Sequence, residues 1–328
     1  MEIYDTIKIG ENMETVKLGN TNIEVSRLCF GSLTISPLQR NFSYEKGAEL
    51  IKYGFDKGIN FLDTAELYNN YGHINKFLEK INRKEFVIAT KSYSYSKDTA
   101  KESLDKALRE LNTDYIDLFL LHEQESEHTI KGHFEAIEYF LKAKEKGLIR
   151  AIGISTHRVE GVLAALKYDE IEVVHPIINK LGIGIQDGTT VDMIKAIKKC
   201  HNIGKGIYGM KPLGGGHLLN NVEEAFNFVQ DIKEIDSIAI GLQSRAEIDA
   251  NINLLNKRYI DSNLKAKIRD TNRKLHIAEW CIGCGKCVSV CKHNALSIKN
   301  SKSIVDLNKC VLCGYCGKYC GEFCIKII

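Results

Sequence analysis

Along residues 25–260, short β-branched or apolar runs alternate with longer amphipathic stretches. The runs predict strands at Leu28–Phe30, Asn60–Leu62, Phe86–Ala89, Ile116–Leu121, Ile149–Ile154, Glu172–Ile178, Gly206–Met210 and Ser237–Ile240. Between them apolar positions fall at helical spacing. In Thr99–Leu111 a stripe of Leu104, Ala107, Leu108 and Leu111 marks the face to be buried. Eight strands alternating with helices over this length predict an α/β fold, a (β/α)8 barrel. A doubly wound sheet is the alternative. It lacks its phosphate-binding signature, because no G-x-G-x-x-G follows the first strand and Gly214-Gly215-Gly216 opens a loop instead. Ahead of the barrel, Glu14–Ser26 alternates around Gly19-Asn20, a hairpin that would plug one end.

The alternation stops near residue 261. Residues 261–279 read as a linker built on a polar helix around 262–278, and residues 280–328 as a second, small domain. Residues 1–12 carry no pattern and stand as an N-terminal extension, which leaves 13–260 for the barrel. The small domain is marked by cysteines. Of eleven in the chain, eight form two runs: Cys281, Cys284, Cys287, Cys291 and Cys310, Cys313, Cys316, Cys320. Both read C-x2-C-x2-C-x3-C, the spacing of bacterial ferredoxins with two 4Fe–4S cubanes. Three thiolates on one turn can reach three irons of a cube, while the fourth, on the following short helix, points at the other cube. Cys281, Cys284, Cys287 and Cys320 are thus expected to hold one cluster, and Cys310, Cys313, Cys316 and Cys291 the other.

Competing uses of these cysteines fit less well. Zinc knuckles have no place for a third cysteine at that spacing. Disulfides need an oxidising compartment, and nothing at the N-terminus resembles a signal peptide. The usual proline after the fourth cysteine is replaced by Lys292 and Gly321. An offset of 29 residues lays Cys281 on Cys310, Gly285 on Gly314, Cys291 on Cys320 and Ile298 on Ile327, an internal repeat. Cys324 then falls on Ala295 and reads as a small buried thiol, as do Cys29 and Cys200.

Charge and hydropathy narrow the partners. A net charge of +3 is too small to argue for nucleic acid. No apolar run approaches the ~18 residues of a membrane span. Residues 281–328 hold seven lysines against Asp306 and Glu322, a surplus that compensates anionic cubanes. An acidic electron-transfer protein is the sharper partner that such a surplus would also suit. Reduced thiolates place the expected compartment in the cytoplasm.

In a barrel the chemistry sits at the C-terminal strand ends. After the second predicted strand come Asp63 and Tyr68, after the third Lys91, and after the fourth His122. Polar two-electron reduction of a carbonyl needs this set. Lys91, held by Asp63, is expected to lower the pKa of Tyr68 and make the phenol a usable general acid. His122 would orient and polarise the carbonyl as hydride arrives from a nicotinamide.

Residues 13–258 resemble the aldo-keto reductase family, which folds as a TIM-type (β/α)8 barrel. The resemblance rests on Gly58–Tyr68, Ser103–His122, Gly147–Ser155, Lys211–Gly216 and Gly241–Asn251. It implies the catalytic tetrad Asp63, Tyr68, Lys91 and His122. With the cysteine tail included, the chain is similar to the iron–sulfur subgroup of that family. The resemblance further implies nicotinamide contacts from Ser155, from His175 where the family often has Gln, and from Met210 where it often has a stacking Tyr. The loop Pro212–Gly216, with Lys211 and Leu213, and the segment Gly241–Asn251, with Gly241, Gln243, Arg245 and Asn251, match its phosphate and adenosine contacts. Arg245 and Lys211 are the basic candidates for a 2′-phosphate, and Glu247 lies where an Arg often sits, so NADP is favoured only slightly over NAD.

The expected activity is therefore an NAD(P)-dependent oxidoreductase acting on a small carbonyl or alcohol, with two 4Fe–4S clusters for electron transfer or structure. The alternative is a nicotinamide-binding redox sensor or electron carrier with little carbonyl turnover, for which Tyr68 would have no use. Hydride carries two electrons together and a cubane passes one, and no flavin fingerprint bridges the two.

Overall fold

The computed structural model describes residues 13–269 and 273–328. The expected N-terminal extension 1–12 lies outside the described residues. A hairpin of β1 (Thr15–Lys17) and β2 (Glu24–Ser26) precedes the barrel, with Val16 opposite Val25. Gly19 turns it with φ 53°, a left-handed angle that glycine adopts without a Cβ penalty. Asn20 N–H donates to the Gly204 carbonyl at 2.8 Å, so the hairpin closes the N-terminal end of the barrel.

All eight predicted strands form, with ends shifted by a few residues. They are β3 (Leu28–Gly31), β4 (Phe61–Asp63), β5 (Val87–Ser92), β6 (Ile116–Leu121), β7 (Ile149–Thr156), β8 (Val173–Pro176), β9 (Gly206–Met210) and β10 (Ser237–Gly241). Each pairs in parallel with the next, and Ile240 opposite Phe30 closes the ring. Strands buried on both faces read as continuous apolar runs, and every residue of β6 is buried.

The helix Lys97–Leu111 illustrates the outer ring. Ser96 caps its first turn in a capping box with Thr99, and Asn112 ends it at φ 50°. Leu104, Ala107 and Leu111 of the predicted stripe are buried, while Leu108 is half-buried at its edge. Burying a leucine fully contributes about 2 kcal/mol, so Leu104→Ala would cost about 2–5 kcal/mol with its cavity. No helix among the described residues is long and apolar enough to cross a membrane.

After the barrel the expected helical linker is shorter than its pattern. The helix covers Ser262–Arg269, and Leu275–Ile277 is a strand, β11. The reason is tertiary: Leu275 and Ile277 face Ile327 and Ile325 of the last strand, whose pairing outweighs the helical tendency. The tail is completed by β12 (Leu296–Lys299), β13 (Lys302–Val305) and β14 (Ile325–Ile327). Strands β11 and β14 pair antiparallel, as do β12 and β13. Short helices at Lys286–Ser289 and Tyr315–Lys318 stand 29 residues apart, the offset of the sequence repeat. The barrel with its C-terminal ferredoxin-like unit is thus the architecture that the pattern predicts.

The tail docks on the mouth of the barrel. Strand β14 packs on the loop Gly214–Gly216, where a Cβ at Gly216 (φ 92°) would collide with the Ile327 carbonyl. His217 donates from Nε2 to the Ile325 carbonyl at 2.8 Å. The C-terminal strand therefore forms part of the wall above the strand ends.

Candidate functional site

At that mouth the strand ends bring four predicted side chains together. Asp63 ends β4, Lys91 lies in β5, His122 follows β6, and Tyr68 ends a short turn, Glu66–Tyr68, after β4. Lys91 Nζ donates to Asp63 Oδ1 at 2.6 Å and to the Thr64 carbonyl at 2.7 Å. The pair is almost sealed from water, with Lys91 only 1% exposed and Asp63 5%. Two charges in such a place persist only when each is paired and hydrogen-bonded. Tyr208, absent from the sequence-derived set, adds a third bond by donating from its hydroxyl to Asp63 Oδ1 at 3.1 Å.

Tyr68 lies beside this pair, with Lys91 Nζ 5.2 Å from its ring centroid. The expectation that Lys91 lowers the Tyr68 pKa is corrected. Burial pushes the phenol well above its usual value, and the charges of Asp63 and Glu123 push the same way. Lys91 does not offset the burial, because it is spent on the ion pair. An ammonium neutralised by Asp63 at 2.6 Å has little field left for Tyr68. Tyr68 is consequently a protonated phenol whose ring reaches the cleft, the form that can give a proton.

His122 stands edge-on to Tyr68 with ring centroids 6.1 Å apart, and stacks on Tyr93 at 4.6 Å. Burial, reinforced by Lys91 and Lys211, holds its pKa well below the usual value, so the imidazole is neutral. Its Nδ1 is buried without a partner. The next residue, Glu123, sits in the left-handed region at φ 53° and accepts from the Tyr93 hydroxyl at 2.7 Å. His175 stacks on Tyr208 at 3.8 Å and donates from Nδ1 to its carbonyl at 2.6 Å. Burial lowers its pKa to about 3, so it too is neutral.

A cleft of about 380 Å³ opens from Asp63 and Tyr68 along the ends of β8, β9 and β10. Of the expected nicotinamide and phosphate contacts, His175, Met210, Lys211, Leu213, Gly241, Gln243 and Asn251 line it. Ser155 lies behind the wall, where its hydroxyl accepts from Glu123 N–H at 3.0 Å. Arg245 stands outside, its guanidinium 5.0 Å from the Tyr53 ring centroid. At the Gln243 end, Glu247 is buried and paired with Arg273 at 2.6 Å. A dinucleotide fits this lining by its unmet polar atoms: Gln39 Oε1 and Asn251 Oδ1 both belong to cleft residues and lack partners among the described residues. Arg273 and the tail residues Phe323, Lys326, Ile327 and Ile328 also line the cleft. No periodicity or spacing in the sequence points to these residues.

The cysteines of the tail line two hollows. Cys281, Cys284, Cys287 and Cys320 face one, while Cys291, Cys310, Cys313 and Cys316 face the other, which is the crossed grouping expected from the spacing. Among the described residues no three side chains stand close enough to share a single metal ion. A cube with an iron at each ligated corner needs its thiolates spread more widely than one ion does. The fit to cubanes is also chemical: Ser303 N–H donates to Cys281 Sγ and Ala295 N–H to Cys291 Sγ, both at 3.4 Å, as anionic cluster sulfurs require. Cys324 is buried as expected, but its Sγ lies 3.3 Å from Cys320 Sγ, so it is a neighbour of the first hollow. Cys200 donates to the Val162 carbonyl at 3.2 Å, and Cys29 is sealed inside the barrel.

A family model described as Aldo/keto reductase family matches residues 27–282, and one described as 4Fe-4S binding domain matches residues 275–297. L-galactose dehydrogenase of Arabidopsis thaliana is 23% identical over 281 residues, 73% of this chain and 87% of its own. A Glycine max protein named as an aldo-keto reductase is 28% identical over 62% of this chain, which spans 60% of that relative's length. The holo form of an aldo-keto reductase from Bacillus halodurans aligns with a TM-score of 0.62 at 26% identity, over 79% of this chain and 96% of that one.

Proposed function

The chain belongs to the aldo/keto reductase family, and on that premise we propose that it is a cytoplasmic oxidoreductase that reduces a small aldehyde or ketone, or runs the reverse reaction. The observation that carries this reading is the sealed Asp63–Lys91 pair directly beside a protonated Tyr68, at the mouth of an open cleft. Reduced nicotinamide, when bound, supplies the hydride. The residues of the cleft would hold it, with His175 and Met210 near Tyr68 and Gln243 and Asn251 at the far end.

Tyr68 then gives its proton to the carbonyl oxygen as negative charge builds there, a role worth about 10²–10⁴ in rate. Neutral His122 can donate a hydrogen bond to the same oxygen, orienting it without carrying charge. Lys91 and Asp63 contribute position and a fixed dipole. Water is kept from the site by the tail wall of Phe323 and Ile327.

The cofactor is NADP or NAD. Glu247 at the far end places a carboxylate where a 2′-phosphate would meet like charge, and Arg273 offsets it at 2.6 Å. Two 4Fe–4S clusters, when bound in the crossed cysteine sets, supply one-electron transfer to a protein partner or hold the tail in shape. The structural role has the more direct support, because the apolar core of the tail is small and three of its eight buried members are cysteines: Cys287, Cys316 and Cys324.

The test is Tyr68→Phe in the iron-loaded protein. Carbonyl reduction should fall by about 10²–10⁴ while the visible absorption of the clusters stays as in the parent. Undiminished turnover would leave the sensor or carrier reading in its place.

A further inference from the structure

Two lysines at the cleft indicate which carbonyl compounds suit it, a point that rests on the reductase reading above. Lys211 follows β9 with its backbone in the left-handed region, φ 60°. A non-glycine residue adopts that angle only at a cost, and such outliers cluster at functional sites. The side chain leans over the end of β8 to reach His157, beyond β7, at 2.6 Å from its Nε2. It thereby turns away from β10 and the Gln243 end of the cleft, and toward His122.

Lys326 arrives from the other domain, in the middle of β14. It is 5% exposed, with its ammonium 5.6 Å from the Phe323 ring centroid and 4.4 Å from that of Trp280. Lys211 Nζ lies 4.6 Å from the same Phe323 centroid, so both cations lie against one aromatic ring. Both lysines line the cavity that contains Asp63 and Tyr68.

Neither ammonium has a carboxylate within ion-pair distance among the described residues. Glu123, the acid whose field reaches both, is hydrogen-bonded to Tyr93. His157 is held neutral by burial and brings no charge of its own. Burial and the nearness of Lys326 push Lys211 down to about 7. Two like charges on one sheltered wall are unfavourable unless an anion lies between them. Cluster thiolates offer Lys326 some compensation, but they are not near Lys211.

We propose that Lys211 and Lys326 form an oxyanion pocket for the substrate, so that the enzyme takes carbonyl compounds carrying a carboxylate or phosphate. The anionic group does not react. It anchors the molecule at the barrel–tail boundary while the carbonyl lies at Tyr68 and His122. Half of the pocket belongs to the tail, so the barrel alone would bind such substrates poorly.

The test compares 2-oxo acids with their methyl esters, using iron-loaded protein and reduced nicotinamide. The parent should show kcat/KM for the acid about thirtyfold or more above the ester, the size expected for a sheltered charge contact. In Lys211→Met and in Lys326→Met that ratio should collapse toward one, whatever happens to the ester rate. Iron content and cluster absorption accompany the Lys326 variant. Lys211→Met lies outside the tail and carries the test if the Lys326 variant loses its clusters. Calorimetric binding of a 2-hydroxy acid, which needs no turnover, should show the same loss. A parent ratio near one, or a ratio that survives in Lys211→Met, overturns the proposal. So does an unchanged ratio with tenfold weaker dinucleotide binding, which would assign the ammoniums to the cofactor's pyrophosphate. If Tyr68→Phe leaves both acid and ester turnover intact, the reductase reading itself has failed, independently of the lysines.

Discussion

The barrel and the tail carry chemistry in opposite ways. In the barrel the central ion pair is already satisfied: Asp63 accepts from Lys91 and Tyr208 before any ligand arrives. A continuous hydrophobic core from Met13 to Ile260 holds it there. In the tail the functional groups are thiols facing two hollows, and the surrounding core is a handful of residues that includes those thiols. The barrel supports its site, whereas on the reading proposed above the tail's site supports the tail. Small domains below about 70 residues commonly need such staples.

That contrast can be broken by experiment. The largest effect is expected from removing the metal. Anaerobic chelation of iron, or Cys287→Ser with Cys316→Ser, should leave tail amides exchanging as in an unfolded chain while barrel amides keep their protection. Equal loss in both parts would show that the two are one cooperative unit. Tyr68→Phe comes next, with its fall of about 10²–10⁴ in turnover confined to the barrel's chemistry. Lys91→Ala should lower barrel stability by about 3–5 kcal/mol, because it leaves Asp63 as an unpaired buried charge. Denaturant unfolding followed by far-ultraviolet circular dichroism measures it, and a loss below about 1 kcal/mol would mean that water reaches the pair.

The smallest effect is an absence of change. A phenol with raised pKa stays protonated until pH passes that raised value. Reduction should therefore lose no general acid between about pH 6 and 9, below the ordinary tyrosine value of about 10. A basic limb near pH 8 assigned to Tyr68 by its disappearance in the phenylalanine variant would show that a bound ligand reverses the burial effect.

Much of the barrel is legible in the sequence because its strands are buried on both faces and its helices on one, so period and length suffice. The convergence of Asp63, Lys91 and His122 is legible for a related reason: strand ends in a closed ring must converge, and each of the three stands at one. The cysteine spacing fixes a crossed grouping that the two hollows repeat. What periodicity cannot give is which distant surfaces meet. Tyr208 reaches Asp63 across the barrel interior, and Arg273, Phe323 and Lys326 enter the cleft by docking. The direction of the Tyr68 pKa is hidden for a similar reason, since it is set first by how deeply the fold buries the phenol. The helical pattern does not hold at Leu275–Ile277, where β14 supplies a partner that local pattern does not reveal.

Strand β14, resting on Gly216, makes the roof of the cleft continuous with the cysteine-rich tail proposed to hold the clusters. Damage to the clusters by air would then travel inward. Once the tail loosens, Phe323 and Lys326 leave the wall, and the barrel is left open to bulk water on that side. Handled under oxygen, such a protein would present a well-folded barrel that binds its ligands weakly, and its inactivity would be mistaken for a defect of the catalytic residues.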